Sequence, residues 1–151
     1  MAESIVGTWN LLSYQVIGSR GRIHLPYGED PVGYLIYAED GYMAVSIMHA
    51  GRVAVPGADI LRRTTQEAAQ ATRTYLSYSG SYQVLTDRVI HYVKASLFPN
   101  WTGTAQERFF AIHECRLYLS TAPLHDPGTA PRADLVWESL PPAPRADSTT
   151  V

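Results

Sequence analysis

The stretch GYLIYAEDGYMAVSIM, residues 33–48, decides the class of fold. Its two ends, 33–38 and 42–48, are rich in aromatic and aliphatic residues, and the sequence Glu-Asp-Gly joins them. Asp-Gly readily adopts the positive φ angles of a tight β-hairpin turn. The stretch therefore predicts two antiparallel strands. Both faces of these strands are mixed in polarity, so the pattern leaves open which face points inward.

Strand-type runs continue along the chain on both sides of this hairpin. They lie at 7–17, 81–85, 88–96, 105–112, 116–122 and 132–139. Together with the hairpin they make eight predicted strands.

One segment has the features of a helix instead. Residues 64–67, TTQE, have the form of a capping box, in which Thr64 is the N-cap and Glu67 reaches back to it. Small and aromatic residues follow at helical spacing. They are Ala68, Ala71, Tyr75 and Tyr78. We predict a helix over about 65–79, with Gly80 as its stop.

Eight short strands with hairpin turns predict an all-β fold, an eight-stranded antiparallel up-and-down barrel with one helix inserted mid-chain. A two-sheet sandwich is the alternative, but its Greek-key connections are harder to fit to this even spacing. If the first strand runs up, the long connections at 18–32, 49–80, 97–104 and 123–131 all lie at the top. The tight turns then lie at the bottom, which predicts a cup with one mouth.

Length and composition narrow the class of protein. The 151 residues suffice for one domain, which we expect to be a barrel over 1–140 followed by a disordered, Pro-rich tail over 141–151. The net charge of −2 and the lack of a basic stripe argue against a nucleic-acid partner. The single cysteine, Cys115, fits a reducing compartment. No secretory signal or membrane-length apolar run is visible, so we expect a cytoplasmic protein without membrane contact.

The start of the first strand, Gly7-Thr8-Trp9, resembles the Gly-x-Trp signature of lipocalins and related calycin barrels. In those proteins the tryptophan plugs the closed end of the barrel. Together with GTWNLLSYQV, the stretches PYGEDPVGYLIYAEDGYM, SLFPNWTGT and LVWES resemble the small lipocalin-like domain family of microbes, over most of residues 5–140. The resemblance implies a lipocalin-like barrel, whose members include ligand binders, proteins of unknown role and cofactor-free cyclases of natural-product pathways.

Two features depart from the pattern of secreted lipocalins. Those proteins carry a helix after the last strand, whereas the helix predicted here lies mid-chain. They also place a basic residue after the last strand, stacked on the tryptophan. Arg132 begins the last strand and so lies at the wrong end, and Arg145 lies in the Pro-rich tail.

Strand pairing predicts which side chains face the interior. If the hairpin of 88–96 and 105–112 closes symmetrically around Asn100 and Trp101, Lys94 lies opposite Glu107, and such a charge pair belongs on the solvent side. The opposite face then carries the pairs His91 with Phe110, Val93 with Arg108 and Ala95 with Gln106, and Tyr82 lies opposite His91. In the first strand, Trp9, Leu11, Ser13 and Gln15 share one face, and Leu117, Leu119 and Thr121 are also expected inside.

This register predicts an apolar cavity with a few polar groups, as small-molecule sites usually have. The candidate catalytic residues are His91, Arg108 and Tyr82. The candidate ligand-binding residues are Ser13, Gln15, Phe98, Trp101, Gln106, Phe110 and Leu119.

Each of the main candidates also has a purely structural interpretation. His91 is either a general acid or base beside Tyr82, or a buried histidine hydrogen-bonded to a tyrosine. Arg108 is either a clamp for a ligand oxygen or part of a salt bridge. Phe98 and Trp101 either form a hydrophobic lid or pack against the helix or a neighbouring loop.

The function predicted from these features is that of a cofactor-free cyclase or isomerase that holds a small hydrophobic or polyunsaturated, natural-product-type substrate in the barrel. The alternative is a non-catalytic carrier or binder of a small hydrophobic molecule, and a barrel packed solid by its tyrosines is a third interpretation. We expect no metal, because His24, His49, His113 and His125 have no ligand-like spacing. We expect no nucleotide cofactor either, since no phosphate-binding loop occurs. The sequence does not indicate the oligomeric state.

Overall fold

The computed structural model describes residues 3–145. Within this range the strands are β1 (Gly7–Ile17), β2 (Ile23–His24), β3 (Val32–Tyr37), β4 (Tyr42–Met48), β5 (Tyr75–Val84), β6 (Arg88–Ser96), β7 (Ala105–His113), β8 (Arg116–Ser120) and β9 (Arg132–Ser139). The helix α1 (Thr65–Arg73) precedes β5, and a 3-10 turn (Pro99–Trp101) joins β6 to β7. No helix in the described residues is long and apolar enough to cross a membrane.

The sheet closes into a barrel because its first and last long strands pair. The order of neighbours is β2-β1-β3-β4-β5-β6-β7-β8-β9, and β1 also pairs with β9. The two-residue strand β2 pairs only with the end of β1, so the ring itself has eight antiparallel strands. The predicted eight-stranded up-and-down barrel is confirmed. Residues 140–145 have no regular secondary structure, and the remainder of the predicted tail lies outside the described residues.

The short turns meet at the closed end of the barrel, where Trp9 lies. Trp9 is 3% exposed, and its indole Nε1–H donates to the carbonyl oxygen of Ile5 at 2.8 Å. In β3 and β4 the burial alternates, so that Leu35, Tyr37, Met43, Val45 and Ile47 point inward. This alternation settles the inward face of the hairpin, which the sequence pattern leaves open.

The inserted helix begins as predicted but ends earlier. Thr64 accepts a hydrogen bond from the backbone N–H of Glu67, and Glu67 accepts one from the backbone N–H of Thr64, which completes the capping box. The helix then ends at Arg73 rather than near residue 79, and β5 follows directly. The reason is that Leu76, Tyr78 and Tyr82 alternate with serines, and this two-residue period places their side chains on the barrel interior.

Gly80 is not a helix stop; it lies inside β5, where the backbone of β6 approaches closely. A β-bulge in β6 falls between the pairs Ser79–Ala95 and Gly80–Val93. A Cβ atom on Gly80 would lie 1.9 Å from the carbonyl oxygen of Tyr92. Only glycine fits against the neighbouring strand at this point.

The register predicted between β6 and β7 is wrong by four residues. His91 pairs with Gln106 rather than Phe110, and Glu107 lies opposite Ile90 rather than Lys94. The cause is the wide loop before β7. The last backbone hydrogen bonds between the two strands join Val93 to Gly103 and Thr104, so residues 94–102 lie beyond the β6–β7 ladder. Because side chains alternate with a period of two, a shift of four residues leaves His91 and Arg108 on their predicted inner face. Ala95, predicted to face inward, is exposed, because the bulge in β6 reverses the alternation after Val93.

The predicted inward direction of Ser13 and Gln15 is also wrong. The pairing of β1 with β9 jumps from Leu11–Trp137 to Ser13–Val136, which marks a bulge at this point. One extra residue reverses the alternation in the rest of the strand. Tyr14 therefore points inward, and Ser13 and Gln15 lie on the outer face of the barrel.

Candidate functional site

A cavity opens inside the barrel at the end where the long connections lie. Its wall is apolar and aromatic, with a few polar groups. The lining residues are Tyr14, Leu35, Val45, Ile47, Leu76, Tyr78, His91, Trp101, Arg108, Leu119, Thr121, Ala133, Leu135 and Trp137. The cavity has a volume of about 40 Å³. The interior is therefore neither packed solid nor a wide open channel.

His91 lies at the centre of a buried hydrogen-bonded cluster. Its Nε2 atom is 2.6 Å from the hydroxyl of Tyr37, and its Nδ1 atom is 2.7 Å from the hydroxyl of Tyr78. His91 is 1% exposed, and both tyrosines are also buried. The histidine thus links β3, β5 and β6 across the inside of the barrel, and each of its ring nitrogens already has a protein partner.

Burial keeps this cluster uncharged. Removal from water, with a smaller contribution from the positive charge of Arg108, lowers the pKa of His91 to about 3. Burial likewise raises the pKa of Tyr37 well above its ordinary value. It also raises the pKa of Tyr78, although the charge of Arg108 opposes that rise. At neutral pH the cluster is therefore a neutral imidazole between two neutral phenols.

Arg108 is the one cationic side chain of the cavity wall in the described residues. It is half-buried, and its guanidinium donates to the backbone carbonyl of Glu107 at 2.8 Å. Within residues 3–145 no carboxylate lies within salt-bridge distance of it, because Glu107 points outward and pairs with Arg88. The guanidinium can only donate hydrogen bonds, so it makes the cavity favourable for an oxygen atom that carries negative charge.

The family model described as a lipocalin-like domain matches residues 6–140. The chain belongs to the lipocalin-like domain family. It is also similar to the 4'-hydroxy-3'-methoxypropiophenone carrier protein ppsC of Aspergillus oryzae, with 41% identity over 108 residues. The aligned region covers 66% of this chain and 97% of that relative. The resemblance inferred from the sequence motifs is thus confirmed over nearly the whole barrel.

The aromatic loop between β6 and β7 reaches the mouth of this lipocalin-like barrel. Trp101 lines the cavity, and its ring meets the edge of Tyr78 at 5.8 Å between ring centres. Phe98 is 45% exposed and meets Trp101 edge-on at 5.4 Å. Trp101 thus forms part of the cavity wall, and Phe98 supports it from outside.

Tyr82 lies beside the cluster but is not hydrogen-bonded to it. It pairs with His91 in the β5–β6 ladder, as predicted. Its hydroxyl donates to the carbonyl of Ala38 at 2.7 Å, toward the closed end of the barrel, and its ring meets the edge of Tyr37. The predicted contact with His91 is therefore made by Tyr37 and Tyr78 instead.

The remaining candidates take different positions on the inner face. Leu119 is buried and lines the cavity. Phe110 packs against the core, outside the lining set of the described residues. Gln106 donates from its side-chain amide to the hydroxyl of Thr104 at 2.9 Å, which engages it within the loop.

Three tyrosines and a tryptophan of the site are missing from the sequence-based candidates. Tyr37 lies on β3, where both faces of the strand are mixed in polarity, so the pattern does not show that it points inward. Tyr14 is turned inward by the bulge in β1. Tyr78 falls within the predicted helix, although its alternation with serines is equally typical of a strand. Trp137, 1% exposed, lines the cavity from the last strand, within the motif LVWES.

Proposed function

We propose that this barrel binds a small, largely apolar aromatic molecule and holds it without chemical change. The observation that carries the proposal is the cavity, where aliphatic and aromatic walls surround Arg108 and the hydroxyl of Tyr78. A mostly apolar pocket with a few polar groups is the usual construction of a small-molecule site. The apolar walls supply affinity through burial, and the polar groups orient the ligand.

The similarity to ppsC supports a carrier role and the aromatic class of ligand. That relative is described as a carrier of 4'-hydroxy-3'-methoxypropiophenone, an aryl ketone. Such a molecule combines an aromatic ring for the apolar wall with oxygen atoms for Arg108 and Tyr78. We therefore propose aryl ketones and related phenols as the ligand class.

Entry of such a ligand requires the mouth to widen. An engineered cavity of about 150 Å³ is enough for benzene. The cavity of about 40 Å³ is smaller than that. Trp101 stands on a loop rather than on a barrel strand and forms part of the wall, so it is the side chain that we expect to move aside.

Calorimetric titration of the wild-type protein with 4'-hydroxy-3'-methoxypropiophenone tests the proposal. We expect saturable binding of one molecule per chain. Arg108→Met keeps an unbranched aliphatic side chain and removes the guanidinium with its charge, so it is expected to weaken binding. Arg116→Met is the matched control, because Arg116 is exposed on β8, outside the cavity wall. Equal affinities of both variants and the wild type would show that Arg108 does not contact the ligand.

The second candidate is a cofactor-free cyclase or isomerase that uses the same cavity. The observation in its favour is the pair of donors, Arg108 and Tyr78, since such groups can stabilise an enolate oxygen as it forms. His91 argues against it as a base: its pKa is lowered to about 3, and both of its ring nitrogens are engaged. Chromatography and proton NMR of the recovered compound decide between the two, because a cyclised or isomerised product keeps the mass of its substrate but differs in retention and spectrum, whereas a carrier returns its ligand unchanged.

A further inference from the structure

The hydroxyl of Tyr37 fixes the direction of the hydrogen bonds around His91. Tyr37 is 1% exposed, and its oxygen has no hydrogen-bond partner other than His91 Nε2 among the described residues. A buried phenol needs an acceptor for its proton. Nε2 is the available acceptor, so Tyr37 donates to it and Nε2 carries no hydrogen.

The proton of the neutral imidazole is therefore on Nδ1. Nδ1–H then donates to the hydroxyl oxygen of Tyr78, 2.7 Å away. The oxygen of Tyr78 is occupied as an acceptor, and its own proton must point elsewhere. Tyr78 lines the cavity, whereas Tyr37 is not among the lining residues of the described chain. The reverse arrangement would instead leave the proton of Tyr37 without an acceptor inside the barrel wall.

A second donor lies in the same wall. The indole Nε1–H of Trp137 is buried and has no acceptor within residues 3–145. Trp137 is 1% exposed and lines the cavity. Buried N–H groups are nearly always paired, so a donor without a protein partner beside a cavity points to an acceptor that comes from the ligand.

The polar side chains of the cavity wall have more donors than acceptors. Tyr78, Trp137 and Arg108 each present N–H or O–H groups. The hydroxyls of Tyr14 and Thr121 can donate or accept. No lining side chain of the described residues is a carboxylate or a carboxamide.

We propose that the cavity selects its ligand by an acceptor oxygen that the hydroxyl of Tyr78 binds, with the chain from Tyr37 through His91 as the device that turns this hydroxyl toward the ligand. The proposal rests on the proposed binding function and adds a chemical rule to it. Ketones, carboxylates and phenolates bind better than alcohols or amines with the same carbon skeleton. An alcohol brings its own proton into a wall that has few acceptors for it.

The direction of the chain can be measured without any ligand. Nitrogen-15 NMR of histidine-labelled wild-type protein distinguishes a ring nitrogen that carries hydrogen from one that does not. The spectrum of His91→Leu identifies the signals of His91. We expect Nδ1 to carry the hydrogen and Nε2 to carry none. The opposite assignment would overturn the proposal.

The selection rule is tested with two matched probes, propiophenone and 1-phenylpropan-1-ol. We expect the wild-type protein to bind the ketone at least about fivefold more tightly, the effect of one additional hydrogen bond. Tyr78→Phe should reduce this preference to near unity, and Tyr92→Phe, which removes an exposed hydroxyl on the outer face, should retain it.

The outcomes separate the two proposals. Equal binding of both probes by the wild-type protein would overturn the selection rule and leave the binding function standing. Binding of neither probe, nor of any related aryl ketone, would overturn the binding function and the rule with it. The NMR measurement uses the wild-type protein, so it remains decisive even if Tyr78→Phe does not fold.

Discussion

The link between His91 and Tyr37 makes the sharpest stability prediction. Tyr37→Phe removes the hydroxyl 2.6 Å from Nε2 and leaves that buried nitrogen without a partner. His91→Leu leaves the hydroxyl of Tyr37 without an acceptor. A buried polar group that loses its partner destabilises the folded state by about 1–3 kcal/mol. The double variant contains neither of these unpaired polar groups. Its loss of unfolding free energy should therefore be about 1–3 kcal/mol smaller than the sum of the losses in the two single variants.

Urea unfolding at pH 7, monitored by fluorescence and circular dichroism, measures the free energy of unfolding of the wild type, the two single variants and the double variant. The control is a second cycle on the outer face, with Tyr92→Phe and Gln83→Leu, whose side chains share an exposed hydrogen bond of 2.9 Å. Water replaces such a partner, so the control coupling should stay within about 0.5 kcal/mol of zero. If the effects of the His91 and Tyr37 changes add within about 0.5 kcal/mol as well, the buried hydrogen bond does not exist as described.

Three further predictions follow from single features of the barrel. The free energy of unfolding should fall as the pH drops from 6.5 toward 3, by up to about 1.4 kcal/mol per pH unit. The reason is that His91 is protonated in the unfolded chain in this range but not in the folded chain. In acid titrations His91→Leu should lack this contribution. Gly80→Ala should destabilise the barrel by more than about 3 kcal/mol, since its Cβ would lie 1.9 Å from a backbone oxygen, whereas Gly18→Ala, with its nearest atom at 3.6 Å, should have little effect in thermal melts. Trp101→Ala should widen the mouth and speed ligand release in stopped-flow measurements, and an unchanged rate would mean that the ligand enters elsewhere.

The fold could be predicted from the sequence because hairpin turns and alternation are local signals. Trp9, the 33–48 hairpin and the capping box at Thr64 all do locally what their patterns indicate. The inward faces of His91 and Arg108 were predicted correctly from a register that is four residues wrong. An even shift leaves these two side chains on the inner face, so their direction is predictable although their partners are not.

The contacts of the site could not be predicted, since they depend on irregularities of the ladder. A bulge after Leu11 turns Tyr14 inward and Ser13 outward, and one inserted residue of this kind leaves no distinct signal in a single sequence. The hydrogen bonds of His91 join strands that are far apart in the chain. Tyr37 lies 54 positions from His91, and only the closed barrel brings them together.

The central claim is that the barrel holds a small aromatic molecule beside Trp101 without changing it. The most direct test is NMR titration of the wild-type protein with 4'-hydroxy-3'-methoxypropiophenone, combined with chromatography and proton NMR of the recovered compound. We predict saturable shifts of the indole signals of Trp101 and Trp137, which both line the cavity, and recovery of the compound unchanged. Indole signals that do not move, or a new product that accumulates with time, would contradict the claim.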